Sequence, residues 1–227
     1  MKKVITFSLW GNKPMYTIGA IKNAELAKTV YPDFECWFYI HEETVPKEIV
    51  EQLQTFDNTK IIIKSGDLNL IKPMMWRFEA IDYPEVEIMM SRDSDTRFTL
   101  REQLAVKEWL NSDKLFHIMR DHPHHNFEIL GGMFGTKKIP DIPNWSSIIN
   151  KYNQNGETRM YDQDFLKDFI YPVIKENSVI HASFYKKEEH AKNFPINYFK
   201  NLRFVGEYIY EDGTRSKYHI EELKKCL

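Results

Sequence analysis

Apolar residues along the chain fall into short dense runs separated by amphipathic stretches. Runs rich in β-branched and aromatic side chains occupy residues 4–10 (VITFSLW), 35–41 (ECWFYIH), 60–64 (KIIIK), 86–91 (VEIMMS) and 114–119 (KLFHIM). Their length and continuity predict buried strands. Between them, apolar residues at helical spacing predict helices over 17–30 (Ile18, Ile21, Leu26, Val30), 46–56, 74–81 and 101–110. Strand and helix alternate, so the expected class is α/β, a single domain with a central mixed, mostly parallel sheet flanked by helices. After Gly135 the pattern turns mixed. Helices are expected near 145–152 and 163–170, a strand at 178–181, and a hairpin over 204–218 turning at Glu211-Asp212-Gly213.

With 227 residues, 42% hydrophobic and 14% aromatic, the chain can bury a sizeable core, which excludes disorder for most of it. Its 31 basic and 33 acidic residues leave a formal charge of −2, too small to draw nucleic acid or an anionic membrane. No apolar run reaches bilayer length, and the opening MKKVITFSLW turns polar too early for a signal peptide, so a soluble, cytoplasmic protein is expected. Cys36 and Cys226 lack the number and spacing of a disulfide framework or zinc site and read as free thiols. Without repeats or a Gly/Ser/Pro-rich linker, residues 1–205 read as one domain and 206–227 as a hairpin or tail.

Ligands of open α/β sheets gather where strands end, and the run at 86–91 ends in Arg92-Asp93-Ser94-Asp95. Two carboxylates one residue apart can turn toward one hard divalent cation, Mn²⁺ or Mg²⁺, that bridges diphosphate oxygens. The bland alternative is a solvated acidic turn. An aspartate-nucleophile phosphatase (DxDxT) ranks low, because Arg97 stands at the fifth position and the strand is the fourth, not the first. Sixteen positions before Asp93, Arg77 could fork onto phosphate or orient a DxD carboxylate, or simply pair with Glu79 or Asp82.

Gly131 and Gly132 suit backbone lying against a sugar ring, or a plain tight turn. Asp162-Gln163-Asp164 opens a helix, where one acid can cap and the other can meet substrate. His181 ends a late strand. The cluster His122-Pro123-His124-His125 lacks a regular ligand spacing. It reads as a loop over the donor or acceptor sugar, with Asp121 or His122 bonding hydroxyls, or else as a structural loop. Trp145 is the best sugar-stacking candidate among tryptophans that otherwise read as core.

The order of these features resembles the GT-A glycosyltransferases that use nucleotide sugars. More closely, FSLWGN, YTIGAIKNAELA, SRDSDTR, FHIMRDHPHHN and ILGGMFG resemble a group of small glycosyltransferase-like proteins of large DNA viruses and bacterial polysaccharide loci, from Val4 to about Val205. The resemblance implies a Rossmann-like GT-A fold, with a nucleotide-sugar-binding half (1–97) and an acceptor-side half (98–205). It implies metal held by Asp93, Asp95 and a late histidine such as His181, and places Ser8 and Leu9 near the nucleotide base. Arg77, Arg92, Gly131 and Gly132 complete the donor-binding set.

The expected function is a metal-dependent glycosyltransferase moving a sugar from a nucleoside diphosphate sugar, a UDP-sugar by expectation, to a glycan or polysaccharide acceptor. Asp162 or Asp164 would be the base of an inverting enzyme, or would steady the far face of the donor in a retaining one. The DQD lacks the asparagine that follows it in retaining relatives and no KPW-like segment follows His181, so the third metal ligand and the stereochemistry stay open. A non-catalytic nucleotide-sugar or glycan binder on the same fold is the rival reading. Oligomeric state is left open.

Overall fold

The computed structural model describes residues 1–68, 72–138, 144–152 and 161–227. Seven strands form one sheet: β1 (Lys2–Leu9), β2 (Phe34–His41), β3 (Thr59–Lys64), β4 (Val86–Ser91), β5 (Phe116–Arg120), β6 (Phe134–Lys137) and β7 (Ser178–Ala182). Their order is β3-β2-β1-β4-β6-β5-β7, and only β6 runs against its neighbours. Successive residues of the central strands serve opposite faces. Val4, Trp37, Tyr39 and Met89 enter one core, while Ile5, Cys36, Phe38 and Met90 enter the other. Burial on both faces explains why β1 and β2 read as continuous apolar runs. The edge strand β3 is only half-buried and carries Lys60 and Lys64, as an edge that must avoid further pairing does.

Helices α1 (Pro14–Val30), α2 (Lys47–Gln54) and α3 (Leu100–Leu110) cover one face. Pro14 opens α1 at a position where its missing N–H costs nothing. The Thr99 hydroxyl caps α3 by accepting from the Glu102 N–H at 3.1 Å. The other face packs against α4 (Trp145–Lys151) and the broken helix α5 (Tyr161–Phe165), π-turn (Leu166–Ile170) and α6 (Tyr171–Ile174). It also packs against residues Pro73–Asp82, expected as a regular helix but wound as a 3-10 helix. The chain ends in α7 (Lys217–Lys225), which the sequence reading did not separate from the hairpin. That hairpin is reduced to a single Ile209–Arg215 bridge around a turn in which Gly213 takes a φ of +84°.

Two features of this topology place the site. The order 3-2-1-4 reverses direction between β1 and β4, and in open α/β sheets ligands bind at that switch point, beyond the strands' carboxyl ends. Because β6 is antiparallel to β4, with Ser91 opposite Phe134, the chain entering β6 lies beside the chain leaving β4. Gly131 and Gly132 thereby come to the acidic turn, and the Ser91 hydroxyl donates to the Gly131 carbonyl at 2.6 Å.

Candidate active site

Helix α1 holds the acidic turn from beneath. Asn23 Nδ2 donates to the Ser94 carbonyl at 3.1 Å, and a Cβ on Gly19 would stand 2.1 Å from that same oxygen. Only a glycine lets helix and turn approach so closely. The turn projects Asp93, whose side chain is 46% exposed, at the mouth of the switch point.

Arg77 organises what surrounds it. This side chain is almost wholly buried, and its guanidinium spans two carboxylates, Nη1 meeting Asp93 Oδ1 and Nη2 donating to Asp162 Oδ2 at 2.6 Å. Nη1 also donates to the Arg92 carbonyl at 3.1 Å, and the Arg77 N–H donates to Ser8 Oγ at 3.1 Å. Burial would lower the Arg77 pKa, but the Asp93 and Asp162 charges outweigh it and raise it. The expected helix-surface pairing of Arg77 with Glu79 or Asp82 is not what forms: Glu79 pairs with Lys64, and Asp82 caps α4 through the N–H groups of Trp145 and Ser146.

The glycine pair closes against this cluster. A Cβ on Gly131 would lie 2.2 Å from Asp162 Oδ2, and one on Gly132 would lie 2.0 Å from Asp93 Oδ2. Ser8, Arg77, Asp93, Gly131, Gly132 and Asp162 therefore converge from five separate stretches of chain. Burial pushes the Asp162 carboxyl up, against the pull of Arg77, and burial with the nearby Asp93 charge pushes Asp95 up to about 7. A carboxyl raised by a neighbouring carboxylate is eased by a divalent cation, which relieves the repulsion between the two. Among the described residues no third acidic, histidine or cysteine side chain completes a ligand set with them. The donors present thus suit a Mg²⁺- or Mn²⁺-type ion that takes its other oxygens from water and phosphate.

Several expected site residues are placed elsewhere. His181, expected as a metal ligand, sits on β7, three strands from β4 or about 14 Å across the sheet. Both its ring nitrogens are engaged, Nδ1 with His117 Nε2 at 2.9 Å and Nε2 with Glu108 Oε2 at 3.0 Å. Arg92, expected to contact the donor, is buried, pairing with Glu102 at 2.7 Å and donating to the Ser91 and Phe134 carbonyls. The Leu9 side chain is core. Asp121, expected to bond sugar hydroxyls, is fully buried and accepts from Arg101, Ser183, Tyr198 and the Val205 N–H. His122 donates through Nε2 to the His219 carbonyl and accepts through Nδ1 from the His124 N–H, and its ring stacks on Phe204 at 4.3 Å. Trp145 is core, packed against Phe78 and Phe134. Asp164 sits two residues along α5 from Asp162, on the opposite side of the helix, where it bears on Tyr152.

The sequence reading missed the contact that orders the second acid of the turn. The Ile209 N–H donates to the Asp95 carbonyl at 2.8 Å, and Thr96 pairs antiparallel with Tyr208. The alternation in Glu207-Tyr208-Ile209-Tyr210 was its signal, a strand-like segment whose partner lay more than a hundred residues away.

No protein-family model matches the chain, and no curated protein sequence matches it. Solved structures do. A glycosyltransferase involved in glycosylation of the major capsid of PBCV-1 superposes with a TM-score of 0.52 at 14% identity, covering 80% of this chain and 82% of that one. The galactosyltransferase LgtC, in complex with donor and acceptor sugar analogs, gives 0.47 at 14% identity, covering 77% and 72%. The 4-diphosphocytidyl-2C-methyl-D-erythritol synthase of Anaerococcus prevotii gives 0.47 at 11% identity, covering 73% and 81%. The chain has the Rossmann-like GT-A fold, as the first of these structures does. No helix among the described residues is long and apolar enough to cross a membrane.

Proposed function

We propose that the protein is a glycosyltransferase that takes a sugar from a nucleoside diphosphate sugar, a UDP-sugar in the first instance, and passes it to a glycan acceptor. The observation that carries this reading is the convergence of Arg77, Asp93, Asp162 and the Gly131-Gly132 backbone at the β1/β4 switch point. Asp93 and Asp95 would hold the divalent ion, Mn²⁺ or Mg²⁺, which when bound supplies positive charge against the leaving diphosphate. Arg77 adds a second, fixed positive charge, held by Asp162 and by the Arg92 carbonyl so that little reorganisation is needed as charge develops.

Asp162 is buried against Gly131, whose missing side chain makes room for the Asp162–Arg77 pair. One of its oxygens is committed to Arg77 and the other accepts from the Gln163 N–H at 3.0 Å. That arrangement favours orienting the donor sugar over abstracting the acceptor proton. Of the two roles open to the DQD segment, steadying the donor's far face fits better. Asp164, two residues on, lies on the far side of α5 from Asp162.

The test is nucleoside diphosphate release. The protein, supplied with Mn²⁺ and a panel of UDP-, GDP- and dTDP-sugars, should release the diphosphate slowly to water and faster with oligosaccharide acceptors. Tight binding of a donor with no release under any condition would favour the non-catalytic binder. Failure to bind any of them would refute the donor site.

A further inference from the structure

The C-terminal segment does more than brace the acidic turn. Residues 207–210 run as an extended stretch, so Tyr208 and Tyr210 share one face while Ile209, between them, is buried on the other. The two hydroxyls lie 3.4 Å apart. Aromatic contact continues outward, with Tyr208 meeting His219 at 4.9 Å, His219 meeting His124 at 5.3 Å, and His124 meeting Tyr218 at 5.5 Å. Tyr210 is 39% and Tyr218 61% exposed, and His124 is exposed as well. The ridge starts at the acidic turn itself, since Tyr208 is bridged to Thr96 and the Ile209 N–H is bonded to the Asp95 carbonyl.

We propose that this ridge of Tyr210, Tyr208, His219, His124 and Tyr218 is the docking surface for a neutral carbohydrate chain that carries the acceptor hydroxyl, an inference that rests on the glycosyltransferase reading above. Three observations select this occupant. A pyranose has an apolar C–H face and a rim of hydroxyls, and the ridge matches it with ring faces edged by phenol and imidazole groups. No free carboxylate stands among the rings, because Glu207 is buried beneath them and held by Arg215 at 2.7 Å and by Arg203 at 3.2 Å. And any acceptor must present one hydroxyl to a sugar held at Asp93 and Asp95, so the rest of its chain must leave across surface contiguous with that turn, where the ridge stands.

Saturation-transfer NMR tests this with lactose, maltotriose, chitotriose and mannotriose as probes, alongside calorimetric titration of UDP with Mn²⁺. Wild-type protein should pass saturation to ring C–H protons of at least one oligosaccharide. Tyr210→Ala combined with Tyr218→Ala should cut that signal at least fivefold, and Tyr210→Phe should keep most of it, with UDP binding unchanged in both. Both tyrosines are exposed, so the variants should fold, and unchanged UDP binding verifies it. UDP binding without any oligosaccharide signal, or a signal that survives the double substitution, overturns the ridge and leaves the donor site standing. An oligosaccharide signal of the expected pattern without UDP binding supports the ridge and refutes the donor site. A concentration-dependent dimer in light scattering that Tyr210→Ala abolishes would overturn the glycan in favour of a second copy of the chain.

Discussion

Asp162 and Arg77, 85 residues apart in sequence, meet at 2.6 Å in a buried ion pair at the end of the sheet. The pair couples helix α5 to the acidic turn, because the same guanidinium reaches Asp93. A carboxylate in that position fixes the direction of the Arg77 guanidinium. Asp162→Asn keeps the shape and one acceptor oxygen but loosens the guanidinium. Turnover should fall on the order of a hundredfold, as small misplacements of a positioned group do, while the donor's KM changes by less than tenfold. Steady-state kinetics with varied donor would separate the two. Unchanged turnover would remove Asp162 from the site.

The glycine pair gives a steric test. Neither Gly131 nor Gly132 has a positive φ, so alanine is tolerated by the backbone and resisted only by its neighbours. Gly132→Ala must displace the Asp93 carboxylate, 2.0 Å from the new Cβ. The expected result is a folded protein, less stable by about 1–3 kcal/mol, that needs at least tenfold more Mn²⁺ to bind UDP. Calorimetric titration at several Mn²⁺ concentrations reads this directly, and an unaltered Mn²⁺ requirement would separate the glycine from the metal-binding turn.

Stability should depend on acid through the buried histidines. Burial, then the neighbouring His181, Arg92 and Lys192, hold His117 well below its ordinary value of 6.5. A histidine kept neutral in the folded state costs nothing above pH 6.5. Below it the unfolded chain takes up a proton that the folded chain refuses. Stability should therefore fall as pH drops below about 6.5, by up to about 1.4 kcal/mol per pH unit for this residue. His117→Gln should flatten part of that slope in denaturant titrations between pH 7 and pH 5, and an identical slope in the variant would contradict the account.

Much of this molecule could be read from local pattern. The strand at 86–91 forms with the predicted bounds, the acidic turn follows it, and Arg77, Gly131, Gly132 and Asp162 meet there. These positions carry signals that survive without tertiary context: a strand end, a DxD, paired glycines, an acid at a helix start. The misplaced residues are those whose roles are set by distant partners. Asp121 looked available because nothing nearby claims it, yet Arg101, Ser183, Tyr198 and Val205 all donate to it. His181 and Arg92 were drawn into the site by their positions at strand ends, but Glu108 and Glu102 on α3 bind them instead. The hairpin reading of 204–218 gives the Tyr208–Tyr210 segment a local partner, whereas Tyr208 pairs with Thr96, far upstream.

The central claim, that Asp93 and Asp95 bind a divalent ion against a nucleoside diphosphate, is tested most directly by thermal unfolding with UDP, with and without Mn²⁺, in wild-type protein and in Asp95→Asn. A ligand at a hundred times its Kd stabilises the native state by about 2.7 kcal/mol, which for a chain of this size raises Tm by roughly 5–10 °C. Wild-type protein should show that rise only when UDP and Mn²⁺ are present together, and Asp95→Asn should keep its own Tm within about 2 °C of wild type while losing the ligand-induced rise. An undiminished Mn²⁺-dependent rise in Asp95→Asn would contradict the claim.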